Sequence, residues 1–334
     1  MPQTKKKNIF HQNNNQSPKK EANMDKTDTN FTKRLVIVTG EKGGVGKSTL
    51  SRALFQLYIN NNVPCQAFEC DTRNPQLHRH FKNSYDNNID FANFFTKGDA
   101  DILMNHIDKK DVPVFLVDLP AQSGMFFEKF VKDFDFFNTV KNEIGCEVTL
   151  LSVISRNLDS INLLKVLYNT CGDIPNYIVV KNLFFGETAD KFERYDNSPF
   201  RSKMLSKGLK EVCLPDLFYK TYDFIDINSL TFENVKIHPQ TDIVLKTRTK
   251  TWLNEMSNQL APVKSLLGLD NSPNLEYYPS VDIDALKQQW KSDELKQHEE
   301  EKEQKQKRKK QKEQEQNEQK QQENSSENEM LREV

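Results

Sequence analysis

Apolar positions are concentrated in the middle of the chain, between about residues 34 and 285. There, short β-branched runs alternate with stretches of helical period, the arrangement expected of a parallel sheet with crossover helices. The pattern predicts strands over residues 35–39, 65–69, 114–117, 147–154, 177–180 and 212–214. These are apolar almost throughout rather than alternating, as strands covered on both faces are. Predicted helices include 47–60, 125–143, 158–169, 202–210 and 242–260. The fold class is therefore α/β, a mostly parallel twisted sheet flanked by helices, with one large domain over 34–285.

The two ends differ in composition. Residues 1–33 are rich in Asn, Gln and Lys and are expected to form a disordered basic arm. Residues 286–334 form a Glu/Lys/Gln-rich tail with no large apolar residue between Leu295 and Met330. That tail has no a/d seam for a coiled coil. It can be a solvated single helix supported by i,i+4 Glu–Lys pairs, or a disordered segment, and its plainest role is solubility.

The formal net charge of −1 selects no class of partner. The first 34 residues carry eight Lys or Arg against three Asp or Glu, which leaves the core mildly acidic. That sign opposes a broad nucleic-acid face but allows a local basic patch. Five scattered cysteines without a C-x-x-C read as small buried hydrophobes in a reducing compartment. Neither an apolar leader nor a run of about 20 apolar residues is present, so a bacterial cytoplasmic location is expected, with nucleoid association an extension of it and no membrane anchor.

Glycines cluster in VTGEKGGVGKST, residues 38–49, directly after the first predicted strand. Gly43, Gly44 and Gly46 lack a Cβ, so backbone N–H groups there can wrap closely around phosphate oxygens. The helix beginning at Lys47 adds its partial positive N-terminus. Lys47 is the candidate for the β and γ phosphates, and the Ser48 hydroxyl for a Mg²⁺ shell. Val45 and Thr49 complete the loop. Glu41 stands where the strict phosphate-loop pattern requires its first glycine, and Lys42 follows it.

The run K-G-G-x-G-K-S resembles the deviant Walker A box of the ParA/MinD superfamily of P-loop ATPases. The resemblance implies that Lys47 serves its own ATP while Lys42 reaches the nucleotide of a second copy, making an ATP-dependent homodimer. The stretch Phe68-Glu69-Cys70-Asp71 is similar to the family's acidic-x-Asp strand end, although the following Pro75-Gln76 is displaced by three residues. By that likeness Asp71 positions the attacking water and stands near the metal. The sequence VFLVDLPA, residues 114–121, reads as a Walker B strand, with Asp118 holding Mg²⁺ through water. Asn182 and Pro215 match the ends of strands that bind the adenine base.

The resemblance covers most of residues 34–265, and the later half looks like plasmid-borne members that act in partition, stability or conjugative mobilisation. ATP hydrolysis would reset binding to DNA, to a DNA-binding adaptor protein, or to both. The DNA candidates are Arg201, Lys203, Lys207 and Lys210 on one predicted helix and Lys246, Arg248 and Lys250 on another, although solvated helix faces read equally well. The alternative is an accessory interaction module of a DNA-transfer apparatus whose bound nucleotide is mainly structural. A MinD-like positioning role is disfavoured because the tail lacks an apolar face. Cys70 and Cys146 are not arranged for an iron–sulfur cluster, and His78 and His80 read as residues of a surface helix.

Overall fold

Leu35, Val36, Ile37 and Val38 are completely buried and form the central strand from which the phosphate loop departs. The computed structural model describes residues 31–40, 42–186, 188–271, 276–278 and 280–330. Glu41 and the expected basic arm, up to residue 30, lie outside the described residues. The first half of the chain builds β1 (Arg34–Thr39), α1 (Lys47–Asn60), β2 (Cys65–Glu69), α2 (Gln76–Tyr85), β3 (Ile89–Phe91), α3 (Asp101–Lys109) and β4 (Val114–Asp118). The second half adds α4 (Gly124–Asp133), the single turn α5 (Phe136–Asn138), β5 (Glu147–Ile154), α6 (Leu158–Cys171) and β6 (Asn176–Asn182). There follow α7 (Glu193–Asp196), α8 (Pro199–Ser206), β7 (Lys210–Leu214) and α9 (Tyr219–Ile227). The chain ends with α10 (Ile243–Leu260), α11 (Lys264–Leu267) and α12 (Ile283–Met330).

All seven strands are parallel, in the order β3-β2-β4-β1-β5-β6-β7. Winding reverses beside β1: the chain moves from β1 towards β2 on one side and crosses back from β4 to β5 on the other. Open α/β sheets form their ligand crevice at such a switch point, outside the carboxyl ends of the strands. Alternate residues of β1 serve two cores. Val36 and Val38 pack with α1, α2, α9 and α10, whereas Leu35 and Ile37 pack with α3, α4, α6 and α8. Burying each such side chain contributes about 1.5–3 kcal/mol, which fixes β1 and the loop at its end.

The predicted helix over 125–143 is broken. Phe136 lies nine residues after Phe127, which at about 100° per residue would place it on the opposite face of a straight helix. Asp135 adopts a left-handed conformation (φ 44°) that ends α4 and redirects the chain, and Phe127, Phe130, Phe136 and Phe137 all become buried. The helix expected over 202–210 is shifted to Pro199–Ser206, because Ser198 caps it by accepting from Arg201 N at 3.2 Å and Gly208 (φ 94°) turns the chain into β7. The helix expected around His78 and His80 is α2, and α3, α9 and the three-residue β3 are additional to the elements predicted. His80, expected on a surface helix, is buried instead.

After α11 the chain returns beneath the sheet. Tyr58 Oη donates to the Leu267 carbonyl at 2.7 Å and Tyr278 Oη to that of Val63 at 2.8 Å. The start of α12 is seated by buried Leu286 and by Trp290, whose ring lies 4.8 Å from that of His238. Of the two readings of the tail, the structure takes the helix: α12 runs through 48 residues.

One junction ties α1, α2 and α9 together. Arg52 is fully buried with its guanidinium over the rings of Tyr222 (5.9 Å) and Phe232 (5.3 Å). Arg79 pairs with Asp226, and the His80 ring nitrogen Nδ1 donates to the Leu230 carbonyl at 2.8 Å. Burial, reinforced by the charge of Arg52, pulls His80 down to about 2, so the imidazole is neutral in the fold. An unfolded chain gains a proton at this position below about pH 6.5 and the folded one does not, so stability falls as pH drops through that value. Between pH 7.5 and 5.5 the wild-type protein should therefore lose about 1 kcal/mol more than His80→Gln in urea unfolding. Equal losses would show that this histidine does not titrate on unfolding.

Candidate functional site

The segment between β1 and α1 is shaped by its glycines. Gly44 has φ 73° and Gly46 φ 105°, conformations that side chains resist. A Cβ on Gly46 would also run into the Asn182 amide and come within 3.3 Å of Leu214. Asn182 Nδ2 donates to the Val45 carbonyl at 2.8 Å, while its Oδ1 accepts from Phe184 N at 3.1 Å. Asn182, foreseen only as a base contact, is thus also a strut between the end of β6 and the glycine loop. Pro215 follows β7 on the same side, and its carbonyl accepts from Trp252 Nε1 at 2.9 Å, which pins the segment to α10.

Lys47 opens α1 and is buried, with Nζ donating to the Lys42 carbonyl at 3.4 Å. Ser48 and Thr49, next on the helix, are half-buried, whereas Lys42 itself is exposed. Lys42 faces a groove between α4 and α6 shared with Ser123, Met125, Ser160 and Leu163. Gly43 sits opposite Ala121, in the segment that follows β4.

Asp118 ends β4 in register with Val38 of β1 and Glu69 of β2. Only 2% of it is exposed, and neither carboxylate oxygen has a hydrogen-bond partner of good geometry among the described residues. Burial raises its proton affinity, while the nearby Ser51 and Ser48 hydroxyls and the Lys47 ammonium pull it down without forming a well-aligned bond to it. Glu69 is buried beside it and pushed upward by desolvation and by the charge of Asp118.

Sequence reasoning gave Glu69 no task, and the structure does. Its Oε1 accepts from Asp71 N at 2.9 Å and its Oε2 from Leu77 N at 2.9 Å, so one carboxylate holds both ends of the β2–α2 loop. Asp71 is half-buried, and its Oδ1 accepts from the amides of Arg73 (3.1 Å) and Asn74 (3.0 Å). The position of Glu69 two residues before Asp71 was visible, but its reach to Leu77 depends on the turn into α2.

These side chains fit a triphosphate and its metal. The loop offers bare backbone and a buried ammonium, and Asp118 supplies carboxylate oxygens without a well-aligned hydrogen bond among the described residues. The buried ammonium of Lys47 offsets only part of the cost of burying that carboxylate, and a second cation at the loop would offset more. Ser48, Asp118 and Asp71 are the candidate oxygen donors, a hard set suited to Mg²⁺. Among the described residues no group of three or more His, Cys, Asp or Glu is placed to hold a metal ion, so any cation here would rely on Ser48 and the nucleotide as well. All five cysteines are free thiols, and only Cys213 is less than fully buried.

Of the cations expected on one helix, only Arg201 and Lys203 lie on α8; Lys207 caps it and Lys210 opens β7. Arg201 is held by Glu211 at 2.6 Å, Lys207 by Asp173 at 2.6 Å, and Lys203 lies over the ring of Tyr168 at 5.3 Å. On α10, Arg248 stacks over Phe218 at 4.1 Å, and Lys250 is exposed.

A family model described as the CobQ/CobB/MinD/ParA nucleotide binding domain matches residues 36–289. Protein MobD of Acidithiobacillus ferrooxidans is 28% identical over 238 residues, covering 70% of this chain and 99% of that protein. Among solved structures, the septum site-determining protein MinD of Pyrococcus horikoshii, complexed with Mg-ADP, is 15% identical, with 70% of this chain and 99% of that one covered and a TM-score of 0.40. MinD of Aquifex aeolicus is also 15% identical, with coverages of 67% and 97% and a TM-score of 0.37. No helix among the described residues is long and apolar enough to cross a membrane.

If the Asn182 strut holds the loop in its binding shape, Asn182→Ala should weaken nucleotide binding about tenfold, the equivalent of one lost hydrogen bond of about 1.4 kcal/mol. Calorimetric titration of ATP and ADP reads this directly. An unchanged affinity would mean that the loop keeps its shape without the strut.

Proposed function

The chain belongs to the CobQ/CobB/MinD/ParA nucleotide-binding family, and we propose that it works as a slow ATPase switch that closes into a homodimer around ATP and Mg²⁺. One observation carries this reading: two buried carboxylate oxygens of Asp118, without a hydrogen-bond partner among the described residues, next to the loop that bears Lys47 and Ser48. Lys47 holds the β and γ phosphates of its own nucleotide, aided by the amides of residues 43–49. Ser48 and Asp118 hold the metal, with Asp71 beside them, and a bound Mg²⁺ would neutralise phosphate charge. Asp71 orients the water, and the Glu69 carboxylate keeps its loop in place. Asn182 and Pro215 border the base.

Lys42 is the residue that turns binding into switching. It is exposed, and the groove it faces is bordered by apolar side chains that water now covers, Met125 (79% exposed) and Val166 (45%) among them. A second copy seated there would cover that surface and receive Lys42 at its phosphates. Because ATP must favour the dimer by several kcal/mol to act as a switch, a cross-subunit cation is an economical source of the difference. Hydrolysis removes it and releases whatever the dimer holds.

Similarity to a protein named MobD inclines the cargo towards plasmid mobilisation rather than partition. Binding to DNA by α10, or to an adaptor protein, is the output of the cycle, carried out in the bacterial cytoplasm. A second reading, an accessory module whose nucleotide is structural, draws on the long α12, whose described side chains from Leu295 to Gln311 are exposed.

Lys47→Ala should abolish nucleotide binding, whereas Lys42→Ala should bind ATP normally yet neither dimerise nor hydrolyse it. Asp71→Ala should accumulate as an ATP dimer in sedimentation. Normal turnover by Lys42→Ala would overturn the cross-subunit role, and a monomeric Asp71→Ala protein in ATP would count against the switch.

A further inference from the structure

Directly after β6 the chain carries three consecutive apolar residues with different fates. Leu183 is half-buried against the core shared with α3, α4, α6 and α8, and Phe185 is half-buried against the other core. Phe184, between them, packs into neither and is 65% exposed, more than any other phenylalanine among the described residues. Its position is nonetheless fixed. The Phe184 amide donates to Asn182 Oδ1 at 3.1 Å, and Nδ2 of the same buried side chain donates to the Val45 carbonyl at 2.8 Å. One amide group thus ties Phe184 to the glycine loop. The Phe184 ring stands edge-on with that of Phe185, 5.2 Å between centroids and 89° between planes, in a 3₁₀ turn over Leu183–Phe185. A single exposed apolar side chain is ordinary on a protein surface; one anchored through a buried side chain to the candidate phosphate loop calls for a reason.

The loop has two unlike flanks. Towards β4 and β2 stand Asp118, Glu69 in register with it, and Asp71, carboxylates that suit a metal ion and the phosphate end of a ligand. Towards β6 and β7, Gly46 lies against Asn182 and Leu214, with Pro215 next in the chain and Phe184 two residues beyond Asn182. A triphosphate with its metal at Asp118 would extend its sugar and base along the loop towards this second flank. Open α/β sheets take their ligands outside the carboxyl ends of the strands, which is where Phe184 stands.

From this arrangement we infer that Phe184 stacks on the base of the bound nucleotide and makes the site favour purine over pyrimidine nucleotides, an inference that rests on the nucleotide reading above. An edge-on contact with Phe185 engages at most one face of the Phe184 ring, which leaves a face for a planar partner. Every base has such a face, but the two fused rings of a purine cover more of a phenyl group than the single ring of a pyrimidine, so more apolar surface leaves water. Because Asn182 sets the turn before any ligand arrives, little ordering remains to be done on binding. Asn182 itself commits one N–H and one lone pair to the protein, and keeps one of each for the edge of the base. The two residues divide the task, Phe184 taking the face of the base and Asn182 its edge.

The test is calorimetric titration of the full chain, in Mg²⁺, with ADP, CDP and inorganic pyrophosphate, for wild type, Phe184→Ala and Phe184→Trp. Phe184→Ala should bind ADP more weakly by a factor within the roughly 5- to 150-fold that losing a stacked aromatic costs. It should bind pyrophosphate, which has no base, as the wild type does. The preference of the wild type for ADP over CDP should shrink in Phe184→Ala. Phe184→Trp should recover the affinity for ADP, and ADP, but not pyrophosphate, should quench its emission beyond any change in the wild type, whose own tryptophans are Trp252 and Trp290. The ring is mostly exposed, so the ligand-free Tm of all three proteins should agree closely. Equal affinity for ADP in wild type and Phe184→Ala would overturn the inference, as would an equal loss for ADP and pyrophosphate. So would a Phe184→Ala protein that loses self-association in sedimentation while keeping its affinity for ADP. A wild type that binds neither ADP nor pyrophosphate removes the nucleotide reading and this inference with it, a result distinct from the others.

Discussion

A carboxylate shut away from water, with no well-aligned hydrogen bond among the described residues, is the constraint on which the site is built. Asp118 lies at the carboxyl end of β4, flanked in register by Val38 and Glu69, and the hydroxyls nearest to it do not bond it well. Burying such a group opposes folding, and the nearby Lys47 ammonium offsets only part of that cost. The sheet tolerates it because β2 and β4 are buried along their whole length and β1 from Leu35 onward.

The second constraint is conformational. The loop facing Asp118 keeps its shape through glycines in left-handed conformations and through Asn182, which reaches across from β6. The next segment on that side, at Pro215, is pinned by Trp252 of α10, and Arg248 of the same helix covers Phe218. A continuous set of contacts thus runs from the glycine loop through β6 and β7 to the cations of α10. On the opposite flank Glu69 closes the β2–α2 loop, and α2 continues into the buried junction of His80, Arg79 and Asp226. Both flanks of the site rest on helices whose outer surfaces face solvent, which is the arrangement a ligand-controlled output requires.

How much of this could be read from residues alone varied with how local the determinant was. The glycine loop, the strand before it and the helix after it were legible because chemistry and conformation coincide in a dozen adjacent residues. Asp118 was legible from four apolar residues ahead of it, but its lack of a partner was not, because that depends on which hydroxyls α1 brings near. Glu69 as a clamp, and Asn182 as a strut, required the register of β2 with β4 and the approach of β6 to the loop. The break after α4 escaped a reading based on period, since the phenylalanines continue past it and only their faces change. His80 lies in a polar run, HRHF, and its burial comes from α9, far along the chain. The segments α3 and α9 are only nine residues each, and β3 has only three.

The central claim is that Asp118 is buried for the sake of a cation at the glycine loop. Thermal unfolding of wild type and Asp118→Asn, each without ligand and with ATP and Mg²⁺, tests it most directly. Removing the buried charge should leave the ligand-free protein at least as stable as wild type while abolishing the rise in Tm on adding ATP and Mg²⁺. A ligand-free Asp118→Asn protein that is clearly less stable, yet keeps the full rise, would contradict the account.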